Sequence, residues 1–88
     1  MKRIYKYEVL LLFAHQIITM PKGKNVLLSE QDGAIFLWRE FSDEDEFNIY
    51  DYNICVHETG SEIQDGEIFI GSVNMRNGDV WHVYEAKK

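Results

Sequence analysis

Glu67-Ile68-Phe69-Ile70-Gly71-Ser72-Val73-Asn74-Met75-Arg76-Asn77-Gly78-Asp79-Val80-Trp81-His82-Val83-Tyr84-Glu85 sets two aromatic and β-branched runs around an Asn-Gly pair. Such runs favour extended backbone, and Asn-Gly is preferred where a two-residue hairpin needs positive φ. In the second run Val80, His82 and Tyr84 alternate with Trp81, Val83 and Glu85, the period of a strand. The reading extends outward. Asp32-Gly33 predicts a second hairpin, and Met20-Pro21-Lys22-Gly23 fits a Pro-initiated turn. Between these breaks, strands are expected over residues 3–10, 15–20, 25–30, 34–41, 47–57, 67–75 and 79–85. The expected fold is a single all-β domain over residues 1–88, with six or seven mainly antiparallel strands in a sandwich or partly closed barrel. One segment reads two ways: over residues 9–18 a short helix fits the pattern as well as strand does, which would make the fold α+β.

Eighty-eight residues suffice for one small core and exclude paired cofactor and substrate domains. Phe36 and Trp38 share one face of their strand, and Ile35 and Leu37 the other, so that strand is expected to be covered on both sides. The core is expected from Tyr7, Val9, Ile18, Leu28, Phe36, Trp38, Tyr50, Ile54, Ile70, Val73, Trp81 and Val83. A single cysteine, Cys55, excludes an intrachain disulfide and favours a reducing compartment. The longest apolar run, residues 9–14, is too short to span a bilayer, and the first residues lack the order of a secretory signal. These features predict a cytoplasmic protein without a membrane partner.

Charge is distributed unevenly. Residues 40–75 contain no Lys or Arg and ten of the fifteen acidic residues; the net charge is +3 over residues 1–39, −10 over 40–75 and +1 over 76–88. Such a field attracts cationic partners and repels phosphate backbones, which argues against nucleic acid as ligand.

Ile4-Tyr5-Lys6-Tyr7, Gln16-x-Ile18-x-Met20-Pro21-x-Gly23, Gly33-x-x-x-Leu37-Trp38, Thr59-Gly60, Ile70-Gly71-Ser72-Val73 and Val80-Trp81-His82-Val83-Tyr84-Glu85 follow one another along nearly the whole chain. In that order they resemble a family of small uncharacterised proteins of bacteriophages and prophage-bearing bacteria, classed as a domain of unknown function. The chain departs from the family pattern at Leu10-Leu11-Leu12-Phe13, where polar turn residues are typical, and at Ser61-Glu62-Ile63-Gln64, in place of a Pro-containing turn. The resemblance implies a phage accessory protein inside a bacterial cell and brings no activity with it.

Each cluster that could carry chemistry also has a plainer explanation. Asp43, Glu44, Asp45 and Glu46, followed by Phe47, Ile49, Tyr50 and Tyr52, combine steering charge with aromatic anchors; the plainer reading is a solvated loop. Asp43 and Asp45 lack the Gly and Glu that complete an EF-hand loop. Cys55 and His57 share a strand face and could join His15 or His82 around zinc, but their spacing matches no ligand or protease signature. Gly60, Gly66 and Gly71 form no phosphate cradle. No catalytic residue, metal or cofactor is therefore expected.

The leading expectation is non-enzymatic binding of a host protein with a basic surface, through Asp43, Glu44, Asp45, Glu46, Tyr50 and Tyr52. A homodimer would cover one open sheet edge. One alternative is sequestration of a nucleotide-like small ligand by Arg39, Arg76 and His82, the two arginines flanking the acidic segment and so able to approach each other. A structural virion component is the other.

Overall fold

The strands form where the alternation lies. The structure, a computed structural model, describes residues 1–86. It contains β1 (Lys2–Val9), β2 (His15–Pro21), β3 (Lys24–Gln31), β4 (Ala34–Ser42), β5 (Ile49–Glu58), β6 (Glu67–Asn74) and β7 (Val80–Ala86). All pairings are antiparallel. One sheet has the order β1-β4-β3 and the other β2-β5-β7-β6, stacked as an open sandwich rather than a closed barrel. The chain changes sheet three times, at residues 10–14, at Lys22-Gly23 and at residues 43–48.

Two of these corners settle what the sequence left open. Residues 9–18 hold no helix: β1 runs to Val9 and β2 starts at His15. The Gln16 amide accepts from the Leu10 N–H at 2.8 Å and donates to the Leu10 and Phe13 carbonyls at 2.8 and 3.1 Å. Backbone groups that a helix would have used are thus held by one side chain, and the apolar run becomes a corner. Lys22-Gly23 carries the chain from one sheet to the other, because β2 pairs with β5 and β3 with β4. Gly23 lies against the Glu40 carbonyl, where a Cβ has no room. Among the described residues the one helical turn is the 3-10 segment Asp43–Asp45.

Both hairpins form. Asp32 (φ 52°) and Gly33 (φ 85°) make the expected two-residue loop between Gln31 and Ala34. The loop at Asn77-Gly78 is longer: Gly78 donates to the Met75 carbonyl at 3.0 Å, Met75 donates to that of Asp79 at 2.8 Å, and only Gly78 takes positive φ. Three residues therefore form the loop, the type I turn plus left-handed glycine that also suits strand twist.

Val9, Ile18, Met20, Ile35, Leu37, Ile54, Val56, Val73 and Val83 form the core between the sheets. Tyr7, Leu28, Ile70 and Trp81 pack at its margin. The face of β4 is the reverse of that expected: Ile35, Leu37, Arg39 and Phe41 point inward, and Phe36 and Trp38 outward. The outer aromatics are half-covered, with Lys6 Nζ 4.6 Å from the Phe36 ring centre and Trp38 Nε1 donating to Ser29 Oγ at 2.9 Å. Tyr50, also expected in the core, is 51% exposed beyond its edge. The strand buried on both faces is β5, at Ile54, Cys55 and Val56.

Candidate functional site

The acidic segment closes the crossover from β4 to β5, and the structure divides its residues by task. Arg3 Nε donates to Asp43 Oδ1 at 2.7 Å, and the terminal amine lies 3.9 Å from the same carboxylate. The Asp43 hydrogen bond and charge, joined by the charge of Glu46, hold the Arg3 guanidinium above its usual range. Asp45 accepts from Ser42 Oγ at 3.0 Å and from Asn48 Nδ2 at 3.3 Å. Asp43 and Asp45 are thus occupied in building the corner. Glu44 and Glu46 enter no ion pair among the described residues. Phe47 follows them with 88% of its surface exposed, and Ile49 and Tyr50 are exposed beside it. Tyr52 stands apart, since its ring packs against the core and lies 4.6 Å from the Arg39 guanidinium.

Arg39, Arg76 and His82 are not brought together. Arg39 is buried, lining a cleft with Gly23, Asn25, Tyr52 and Ile70. Arg76, on the β6–β7 loop, lies 3.4 Å from Glu30 and 3.6 Å from Asp32 at the β3–β4 loop. His82 has both ring nitrogens engaged, Nε2 at 2.9 Å from Thr59 Oγ1 and Nδ1 at 2.6 Å from Ser72 Oγ. The arrangement offers no shared pocket for the three.

A polar cluster that the sequence reading only touched occupies the outer face of the four-stranded sheet. His57 Nε2 lies 2.6 Å from Glu67 Oε1, with side chains 10% and 3% exposed, and the Gln64 N–H donates to Glu67 Oε2 at 2.7 Å. Burial pushes the Glu67 carboxyl up, but the His57 hydrogen bond and the Gln64 amide outweigh it and hold the group below its ordinary range. Cys55 Sγ is 3.2 Å from His15 Nδ1. Burial, reinforced by the Glu67 charge and hydrogen bond, pushes the thiol up to about 11. A pair that resembles a nucleophile and base therefore holds a protonated thiol, the unreactive form. Among the described residues no three metal-ligating side chains converge.

A family model described as a domain of unknown function, DUF7352, matches residues 1–88. The chain belongs to the DUF7352 family. No curated protein and no solved structure matches it significantly.

In this DUF7352 chain the Met20-Pro21-Lys22-Gly23 stretch does more than turn. Gly23 lets the crossover press onto β4 at Glu40, and the Pro21 carbonyl there accepts from Arg39 Nε at 3.2 Å. Arg39 Nη1 donates to Asn25 Oδ1 at 2.8 Å, one residue pair into β3. The sequence carried one sign of this arrangement: an arginine in phase with Ile35, Leu37 and Phe41. Sequence reasoning missed it by assigning the other face of β4 to the interior. The His57–Glu67 pair had no comparable sign, because Glu67 comes to His57 only through β7, which pairs with both β5 and β6.

Proposed function

We propose that this DUF7352 protein is a non-enzymatic accessory protein of phage or prophage origin. In this reading it acts in the bacterial cytoplasm, binding and modulating a host protein that presents a basic surface. The observation that carries the proposal is the Phe47 ring, 88% exposed and preceded by Glu44 and Glu46, which enter no ion pair among the described residues. Burying such a ring in a partner pocket contributes about 1.5–3 kcal/mol, and the flanking charge raises the encounter rate with a cationic surface. The contact set is therefore Glu44, Glu46, Phe47, Ile49 and Tyr50. Asp43 and Asp45 serve the corner, and Tyr52 serves the interior.

The test is paired affinity capture from bacterial lysate using the wild type, Phe47→Ala and Arg76→Ala. The proposal expects a stoichiometric protein retained by wild type and Arg76→Ala and lost from a folded Phe47→Ala. Equal capture by all three, or none by any, contradicts it.

A further inference from the structure

Among the described residues, one charged side chain lies between the two sheets, and the proposed contact surface does not use it. Arg39 is 4% exposed and points between the sheets with Ile35, Leu37 and Phe41. It forms no ion pair with any carboxylate among the described residues. A guanidinium has five N–H groups, and here Nε serves Pro21 and one Nη1 hydrogen serves Asn25. Among the described residues no fully buried side-chain polar atom lacks a partner, so the remaining hydrogens, chiefly those of Nη2, keep an open side.

That open side is a cleft of about 430 Å³, within the size of small-molecule sites. Two bulges lie along its edges. Val26 is the extra residue where β3 shifts register between Asn25 and Leu27, and Ile70 is its counterpart in β6 between Phe69 and Gly71. β3 and β6 are the edges of their sheets that pass side by side, and Gly71 gives Leu28 space there. Bulges bend edge strands; Ile70 lines the cleft itself, and Val26 follows Asn25, the β3 residue that lines it. Lys24 adds a second cation at the rim, Ile68 and Ile70 an apolar wall, and Glu85 an acceptor.

We infer that this cleft binds a small organic oxyanion, a carboxylate or phosphate monoester on a compact apolar body, with the Arg39 fork as its anchor. An oxyanion supplies the countercharge that the buried guanidinium lacks and takes paired N–H donors. Tyr52, stacked on the guanidinium at 4.6 Å, keeps the fork in place. Glu85 favours a ligand with one anionic group over a polyanion and can accept from a donor on its body.

The chain has three arginines, so the Nε–Hε region of a proton–nitrogen spectrum holds three side-chain signals, with that of Arg39 identified by its loss in Arg39→Lys. Titration with phenyl phosphate and with benzoate is expected to move the Arg39 signal saturably, while sodium chloride at matched ionic strength does not. A shift with phenyl phosphate alone assigns phosphate esters, with benzoate alone carboxylates, and with both the shared chemistry. Followed through the backbone amide signals of Tyr52 and Ile70 at the cleft, Arg39→Lys should weaken binding about 10- to 100-fold, the scale of a lost charge-assisted hydrogen bond. Lys24→Gln, an exposed change that leaves the core alone, should weaken it less and covers the case in which Arg39→Lys fails to fold. An Arg39 signal that neither ligand moves, or that chloride moves equally, overturns the inference.

Discussion

At the scale of single residues, burial decides what Cys55 and Glu67 can do. With its thiol pushed up to about 11, Cys55 is a thiolate in only about one molecule in ten thousand at neutral pH. Native protein should therefore resist iodoacetamide at pH 7 and react once unfolded; rapid native alkylation would contradict the buried thiol. The same shifts set two limits on stability. Above about pH 9 the unfolded chain releases the Cys55 proton while the folded chain keeps it, so stability falls as pH rises from about 9 to about 11. Glu67 has the opposite sign: its contribution is present above the ordinary carboxylate range and is lost as pH falls through its lowered value. Urea unfolding across pH should show both limbs, with Cys55→Ala flattening the alkaline one and Glu67→Gln the acid one. Glu67→Gln should also cost about 1–3 kcal/mol near neutrality by loosening the bond to His57. Unchanged limbs in these variants would refute the assignments.

At the scale of elements, the corners and bulges carry information that strand periodicity does not. Gly23→Ala should destabilise the fold by about 1–3 kcal/mol, since its methyl meets the Glu40 carbonyl and β4 must shift. Gly33→Asn should cost less in the same urea experiment, because its position is open and Asn is among the residues that best tolerate positive φ, which leaves backbone strain as the only penalty. Equal effects would remove the close approach from the account. All seven strands were legible because each is a local run of β-branched and aromatic residues bounded by breakers. The facing of β4 was not: Phe36 and Trp38 have the larger rings, yet Lys6 and Ser29 half-cover them outside while an arginine goes in. That choice depends on Pro21 and Asn25, which come from another sheet and a neighbouring strand, and a single strand contains no trace of them. The helix alternative over residues 9–18 failed for the same kind of reason, a nonlocal claim on the backbone by the Gln16 amide. Of the expected contact residues, Glu44, Glu46 and Tyr50 stay exposed or ungrouped, whereas Asp43, Asp45 and Tyr52 were drawn into local partnerships that composition does not disclose.

At the scale of the whole molecule, the sandwich separates two surfaces. The corner between β4 and β5 presents Phe47 with Glu44 and Glu46, and the cleft between β3 and β6 presents Arg39 from within. The contact claim rests on the first of these, and Phe47 and its two carboxylates should act on different rate constants. Association kinetics with the captured host protein, across a salt series, separate the contributions. Glu44→Gln with Glu46→Gln should slow association and flatten its salt dependence, because rim charges act on encounter. Phe47→Ala should leave association nearly unchanged and speed dissociation by about 10- to 100-fold, as loss of a desolvated anchor does. Folded variants that bind with wild-type rates and salt slope would contradict the account and leave this corner a solvated loop.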